Sequence, residues 1–193
     1  MVNSKMNLAN KITISRILAT PVFLFFLVPG WFGQFIGLDQ WGRYVAAVIF
    51  VLASITDMVD GNIARKYNMI TELGKFLDPV ADKLLVTSAL IAFIRTDNLS
   101  VWAVFIIIAR EFIITGFRVI AAGRGVIIAA DKWGKIKTVV QIVAIVAILI
   151  RNFPISLFTD FPLGMVLMYI AVVLTVISGV NYIVKNSKVL GNC

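Results

Sequence analysis

Apolar residues gather into six stretches of near-membrane length, roughly 12–30, 43–65, 74–95, 99–121, 134–151 and 162–184, and each predicts a spanning helix. The connections carry breakers or charge: Pro29-Gly30 through Gly42, Lys66 through Leu73, Arg95-Thr96-Asp97-Asn98, Gly123-Arg124-Gly125, and Asn152-Phe153-Pro154 through Pro162. No repeat, low-complexity tract or soluble segment remains. The expected fold is therefore all-α and integral to the membrane, with six transmembrane helices in a single domain over residues 1–193.

The first stretch follows Lys5, Lys11 and Arg16, as in a signal peptide, but Val28-Pro29-Gly30-Trp31 offers no small-x-small cleavage site. It is expected to be a retained first helix. Residues 3–16 have a second option, a short interfacial N-terminal helix with Leu8, Ile12 and Ile14 toward lipid.

Composition sharpens the picture. Hydrophobic residues make up 60% of the 193 and charged residues only 15%, and mean hydropathy is +0.96, well beyond an ordinary soluble domain. The net charge of +8 does not point to nucleic acid, because the cations punctuate apolar spans and do not line one solvated face. With the N terminus in the cytoplasm, only Arg43, Arg95 and Arg151 of the 18 basic residues fall on the far side. That asymmetry predicts a multi-pass protein of the cell membrane with both termini cytoplasmic.

Against this background the acidic run from Asp57 to Asp82 stands out. It reads Asp57-x-x-Asp60-Gly61-x-x-Ala64-Arg65, eight residues, then Gly74-x-x-x-Asp78-x-x-x-Asp82. On helices, Asp57, Asp60, Gly61 and Ala64 share an arc of about 100°, and Gly74, Asp78 and Asp82 one of about 80°. The short Arg65 to Leu73 connection predicts an antiparallel hairpin with both acidic stripes near the cytoplasmic surface.

Two carboxylates 5 Å apart repel by about 3 kcal/mol at an effective dielectric of about 20, so four of them converging require counter-charge. Divalent cations supply it. Histidine is absent and the single cysteine is Cys193, so the ligands are oxygen, which favours magnesium, manganese or calcium. Gly61, Ala64 and Gly74 leave room for a bulky ligand beside the backbone. Interfacial pairing with Arg65, Lys66, Lys75 and Lys83 would need neither helical register nor interleaved glycines. Intramembrane acids also mark cation pathways, so a divalent-cation transporter is the alternative from a different class. Pro79 either follows a capping Asp78 or bends a helix that runs through it.

The eight fixed positions resemble, without departure, the signature of the CDP-alcohol phosphotransferases, and six spans with the motif across the second and third look like that family over nearly the whole chain. The resemblance implies transfer of a phosphorylated group from a CDP-linked donor to an alcohol, releasing CMP, with two magnesium or manganese ions. It implies that Asp57, Asp60, Asp78 and Asp82 hold the metals and that Asp82 is also the general base. CDP would be met by Asn10, Thr13, Asp57, Gly61, Ala64, Arg65 and Gly74.

The acceptor is read from the later helices. Arg110 lies within the apolar run Val101 to Phe117, where a guanidinium is expected to enter a polar cavity and meet an anion. Glu111, Thr115 and Arg118 share a face, as do Lys135 and Thr138. The candidate acceptor-phosphate residues are Arg110, Arg118, Lys135 and Lys137, although Lys137 lies about 200° from Lys135 and is expected toward headgroups or loop.

The segments Ala109-Arg110-Glu111-Phe112, Thr115-Gly116-Phe117-Arg118, Gly134-Lys135-Ile136-Lys137-Thr138 and Asn10-Lys11-Ile12-Thr13-Ile14-Ser15-Arg16 resemble a bacterial branch of the family. That branch implies CDP-diacylglycerol as donor and glycerol 3-phosphate as acceptor, with membrane lipid around the site. Inositol phosphate, serine or phosphatidylglycerol would use related chemistry. Small residues along the helices suit a homodimer or contacts within one chain equally.

Overall fold

The computed structural model describes residues 8–28, 37–66, 72–123 and 132–186, with the backbone alone described at 8–12, 38–40, 57–66, 72–79, 82 and 132. Among the described residues the chain is all helical. Its six α-helices are α1 (Leu8–Leu27), α2 (Leu38–Lys66), α3 (Glu72–Thr96), α4 (Val101–Gly123), α5 (Lys132–Leu149) and α6 (Leu163–Lys185), with a 3-10 turn at Ile155–Leu157. Each coincides with one predicted stretch. α1 is continuous from Leu8, so no break separates residues 8–16 from the first stretch, and residues 3–7 lie outside the description. α3 runs uninterrupted through Pro79, which removes the option of a helix starting at Asp78.

The chain divides into two compact units, residues 1–96 and 97–193. In the first, α1 packs against both α2 and α3. Phe23 and Phe50 are fully buried with ring centroids 5.9 Å apart, and the remaining core of this unit is largely alanine with Leu27, Leu85, Leu90 and Phe93. Small residues let the helix backbones approach closely.

In the second unit α6 packs against α4 and α5. The inward face of α6 is Gly164, Met168, Ala171, Thr175, Ser178, Gly179 and Tyr182. Steps of four and three place these on one seam, mostly small or hydroxylated. The α5–α6 hairpin closes tightly: a Cβ on Gly164 would lie 2.7 Å from Ile148 Cγ1 and 2.8 Å from its backbone nitrogen. The Gly164 N–H donates to Asn152 Oδ1 at 2.7 Å.

The outward faces are apolar. On α6 alone, Val166, Ile170, Val173, Val176, Ile177 and Val180 are exposed, while Thr175 and Ser178 are fully buried. This inverts the pattern of a soluble protein. The buried hydroxyls of α6 are satisfied within the helix, Thr175 Oγ1 donating to the Ala171 carbonyl at 2.6 Å and Ser178 Oγ to that of Thr175 at 3.2 Å. At 23 residues, α6 extends about 35 Å, and it is long and apolar enough to cross a bilayer.

Candidate active site

The motif residues fall on two consecutive helices of the first unit. α2 carries Asp57, Asp60, Gly61, Ala64 and Arg65, and α3 carries Gly74, Asp78 and Asp82. Because each half of the motif lies in unbroken helix, the spacing places Asp57 and Asp60, and Asp78 and Asp82, about one turn apart. The side chains of these eight residues, and that of Asn10, lie outside the described residues. The donor set itself, four carboxylates with no histidine in the chain, fits hard divalent cations.

α1 contributes a polar stripe to the same unit. Thr13, Arg16 and Thr20 are all buried, at spacings of three and four that set them on one face. Thr20 Oγ1 donates to the Arg16 carbonyl at 3.1 Å. Thr13 was expected from the sequence. Arg16 was not singled out, yet it is 5% exposed, and a buried guanidinium beside the motif helices is as strong a signal as Arg110. Its register with Thr13 could have revealed it.

The second unit holds the cation cluster, built on α4 with contributions from α5 and α6. Arg110 Nη1 donates to Glu111 Oε1 at 3.2 Å, and Lys137 Nζ from α5 donates to the same carboxylate oxygen. Arg110 Nη2 donates to Ser178 Oγ on α6 at 3.1 Å. Arg110 Nε is buried without a hydrogen-bond partner among the described residues. One turn or two further along the helices, Arg118 Nε donates to Tyr182 OH at 3.2 Å. The Arg118 guanidinium carbon also sits 5.6 Å from the Tyr182 ring centroid, within cation–π range. Phe117 meets the same ring edge-on at 5.8 Å.

This arrangement corrects one placement. Lys137 does not face headgroups or loop: it is 2% exposed and pairs with Glu111. Lys135 is on the exposed side of α5. The helical wheel separated the two lysines correctly but gave no means of deciding which face turned inward. Arg110 and Lys137 converge on Glu111, Arg118 joins Tyr182, and among the described residues no contact draws Lys135 into the cluster. Ser178 and Tyr182 were missed because α6 carries no charge before Lys185.

Two glycines frame the cluster without charge. A Cβ on Gly134 would stand 3.5 Å from Arg110 Nη2, and one on Gly179 would stand 3.1 Å from Arg110 Cγ. Arg110 thus passes close to two backbones, and at Gly179 an added Cβ would crowd it, whereas at Gly134 it would make ordinary contact. Net of Glu111, the described cluster is cationic, which suits a phosphate or carboxylate ligand.

Comparison with known proteins gives the family. Residues 6–177 match the family model described as CDP-alcohol phosphatidyltransferase, and the chain belongs to that family. Among its relatives, the CDP-diacylglycerol–glycerol-3-phosphate 3-phosphatidyltransferase of Bacillus subtilis is 42% identical, covering 95% of this chain and 97% of its own length. A probable phosphatidylglycerophosphate synthase of Mycobacterium tuberculosis is 41% identical over 96% of this chain and 84% of its own. The Rickettsia felis protein carrying the same name as that of B. subtilis is 36% identical over 91% and 93%.

Proposed function

We infer that this chain transfers the phosphatidyl group of CDP-diacylglycerol to glycerol 3-phosphate, yielding phosphatidylglycerol phosphate and CMP. Relatives at 36–42% identity over nearly full length bear that activity in their names. The observation that carries the choice of acceptor is the cluster of buried Lys137 with the partly buried Arg110 and Glu111. An uncharged acceptor has no use for cations held this deep, because their desolvation is costly and an anion offsets it. A doubly charged phosphomonoester therefore fits better than serine, whose carboxylate is offset by its own ammonium, or phosphatidylglycerol, whose phosphodiester carries a single charge.

The whole chain, residues 1–193, acts as one membrane domain. The outward apolar faces of the helices and the charge asymmetry of the connections support six spans with cytoplasmic termini. Asp57, Asp60, Asp78 and Asp82 would hold two magnesium or manganese ions, whose chemistry is to neutralise the pyrophosphate and the departing CMP. Asn10, Thr13, Gly61, Ala64, Arg65 and Gly74 are assigned to the cytidine and its phosphates.

Arg110, Arg118 and Lys137 bind the acceptor's phosphate and leave its hydroxyl end to react. That hydroxyl oxygen attacks the phosphorus nearest the lipid, the bond from this phosphorus to the CMP oxygen breaks, and CMP leaves with the electron pair. The Asp82 carboxylate takes the hydroxyl proton. A single displacement is favoured, since no histidine is available to carry a phosphoryl group.

The test is CMP release by purified protein with CDP-diacylglycerol and magnesium, offering glycerol 3-phosphate, inositol phosphate, serine or phosphatidylglycerol in turn. Release with glycerol 3-phosphate alone is expected. Release with serine or phosphatidylglycerol would remove the role given to the cation cluster. Magnesium flux into liposomes without CMP release would replace the reading altogether.

A further inference from the structure

We propose that Ser178, Gly179 and Tyr182 on α6 are positioning residues that fix the guanidinium groups of Arg110 and Arg118 and thereby set the affinity for a phosphate-bearing acceptor. The inference rests on the assignment of those arginines to the acceptor phosphate. None of the three touches the reacting atoms; each acts through an arginine on α4.

The geometry divides the work between two levels of α6. At the deeper level, Ser178 Oγ donates its proton to the Thr175 carbonyl at 3.2 Å and accepts from Arg110 Nη2 at 3.1 Å. Committing the hydroxyl proton to the helix backbone leaves an oxygen lone pair turned to the arginine. Glu111 holds the other terminal nitrogen at 3.2 Å, so the guanidinium plane is fixed at two points. Gly179, one residue on, brings the helix backbone against the stem of Arg110, where an added Cβ would stand 3.1 Å from Cγ. The buried Nε, with no partner among the described residues, is left as a donor for a ligand.

One turn along, Tyr182 is buried and holds Arg118 in two ways. Its hydroxyl oxygen accepts from Nε at 3.2 Å, and its ring lies beneath the guanidinium. Using Nε spends one of the five guanidinium donors and leaves the two terminal amino groups for a bidentate contact with phosphate oxygens. Phe117 packs edge-on against the ring and keeps it in place. Arginine has extensive rotamer freedom, so a side chain held before the ligand arrives binds more tightly than one that must be ordered on binding.

Steady-state kinetics on full-length protein in lipid nanodiscs, varying each substrate at saturation of the other, would test this. Tyr182→Phe keeps the ring and its contact with Phe117, and Gly179→Ala removes no polar group. Each is expected to raise KM for glycerol 3-phosphate by about tenfold, with kcat and KM for CDP-diacylglycerol within about twofold. Inhibition by inorganic phosphate should weaken in parallel. A merely structural role would depress kcat or disturb both substrates alike, and that pattern, or an unchanged KM in both variants, would overturn the proposal. Arg110→Ala and Arg118→Ala run alongside. If they raise KM for glycerol 3-phosphate while the α6 variants do not, only the positioning role falls; if they leave it unchanged, the acceptor assignment falls with it.

Discussion

The two units carry opposite charge chemistry and differ in how that chemistry is encoded. In the first, four aspartates sit as two pairs on two consecutive helices, so helical spacing already groups each pair within α2 and within α3. In the second, the charged groups come from α4 and α5 and their neutral partners from α6, with Arg110 and Ser178 separated by 68 positions. A site encoded within helices can be read from spacing. A site encoded between helices depends on which face each one turns inward, and spacing does not carry that.

The sharpest way to break this comparison is to remove the acidic half. Asp78→Asn and Asp82→Asn each substitute a neutral isostere at a position assigned to a divalent cation, so CMP release should drop by about a thousandfold or more. Helix content by circular dichroism should not change, since asparagine is a near-isosteric replacement. Activity retained by both variants would show that the aspartate register is not the metal site and that its legibility was misleading.

In the second unit the largest effect should come from Glu111→Gln. Its carboxylate receives both Arg110 and Lys137, so neutralising it leaves two cations side by side in a poorly hydrated setting without their shared partner. Loss of one member of such a network typically costs about 3–5 kcal/mol when fully buried. Glu111 is partly exposed, with 28% of its side chain accessible, so a fall of about thirtyfold in kcat/KM for glycerol 3-phosphate is the expectation. A change confined to KM for CDP-diacylglycerol would move Glu111 out of the acceptor side.

How much was legible follows from the same distinction. All six helices were placed within a few residues, because an apolar run of near-bilayer length between breakers has few other solutions; α6 observed at Leu163–Lys185 against 162–184 is typical. Arg110 was legible because a guanidinium inside an apolar run demands a partner. Arg16 satisfies the same rule but sits near a basic N-terminal segment, where it passed for positive-inside decoration. Lys135 and Lys137 were distinguishable only as lying on opposite faces. Ser178 and Tyr182 gave no signal, since a serine and a tyrosine in a spanning helix are common and bond locally as readily as across helices.

A smaller effect should come from the scaffold that brings α6 to this cluster. Gly164→Ala places a Cβ within 2.8 Å of the Ile148 backbone nitrogen, an atom that a side-chain rotation cannot relieve. The α5–α6 hairpin must shift, at a cost of about 1–3 kcal/mol, lowering the Tm of the purified protein by about 5 °C. If stability is unchanged, the close approach of the two helices near the turn is not a constraint on the seam that carries Ser178 and Tyr182.

The smallest expected effect is the most discriminating between the two modes of encoding. Lys135 was joined to Arg110 and Arg118 because it shares a helix face with Thr138, a pattern as regular as that of the aspartates. The structure turns that face outward: Lys135 is exposed, and exposed Thr138 closes its hydroxyl on the Gly134 carbonyl of its own helix at 3.0 Å. An exposed lysine is screened within about 8 Å at physiological salt and contributes little to a site it does not enter. Lys135→Ala should therefore leave KM for glycerol 3-phosphate within about twofold, with any residual effect disappearing as salt is raised. A salt-independent rise of about tenfold would mean that the face shared by Lys135 and Thr138 enters the acceptor site after all. Helical register would then gather the cationic residues as directly as it pairs the aspartates within α2 and within α3.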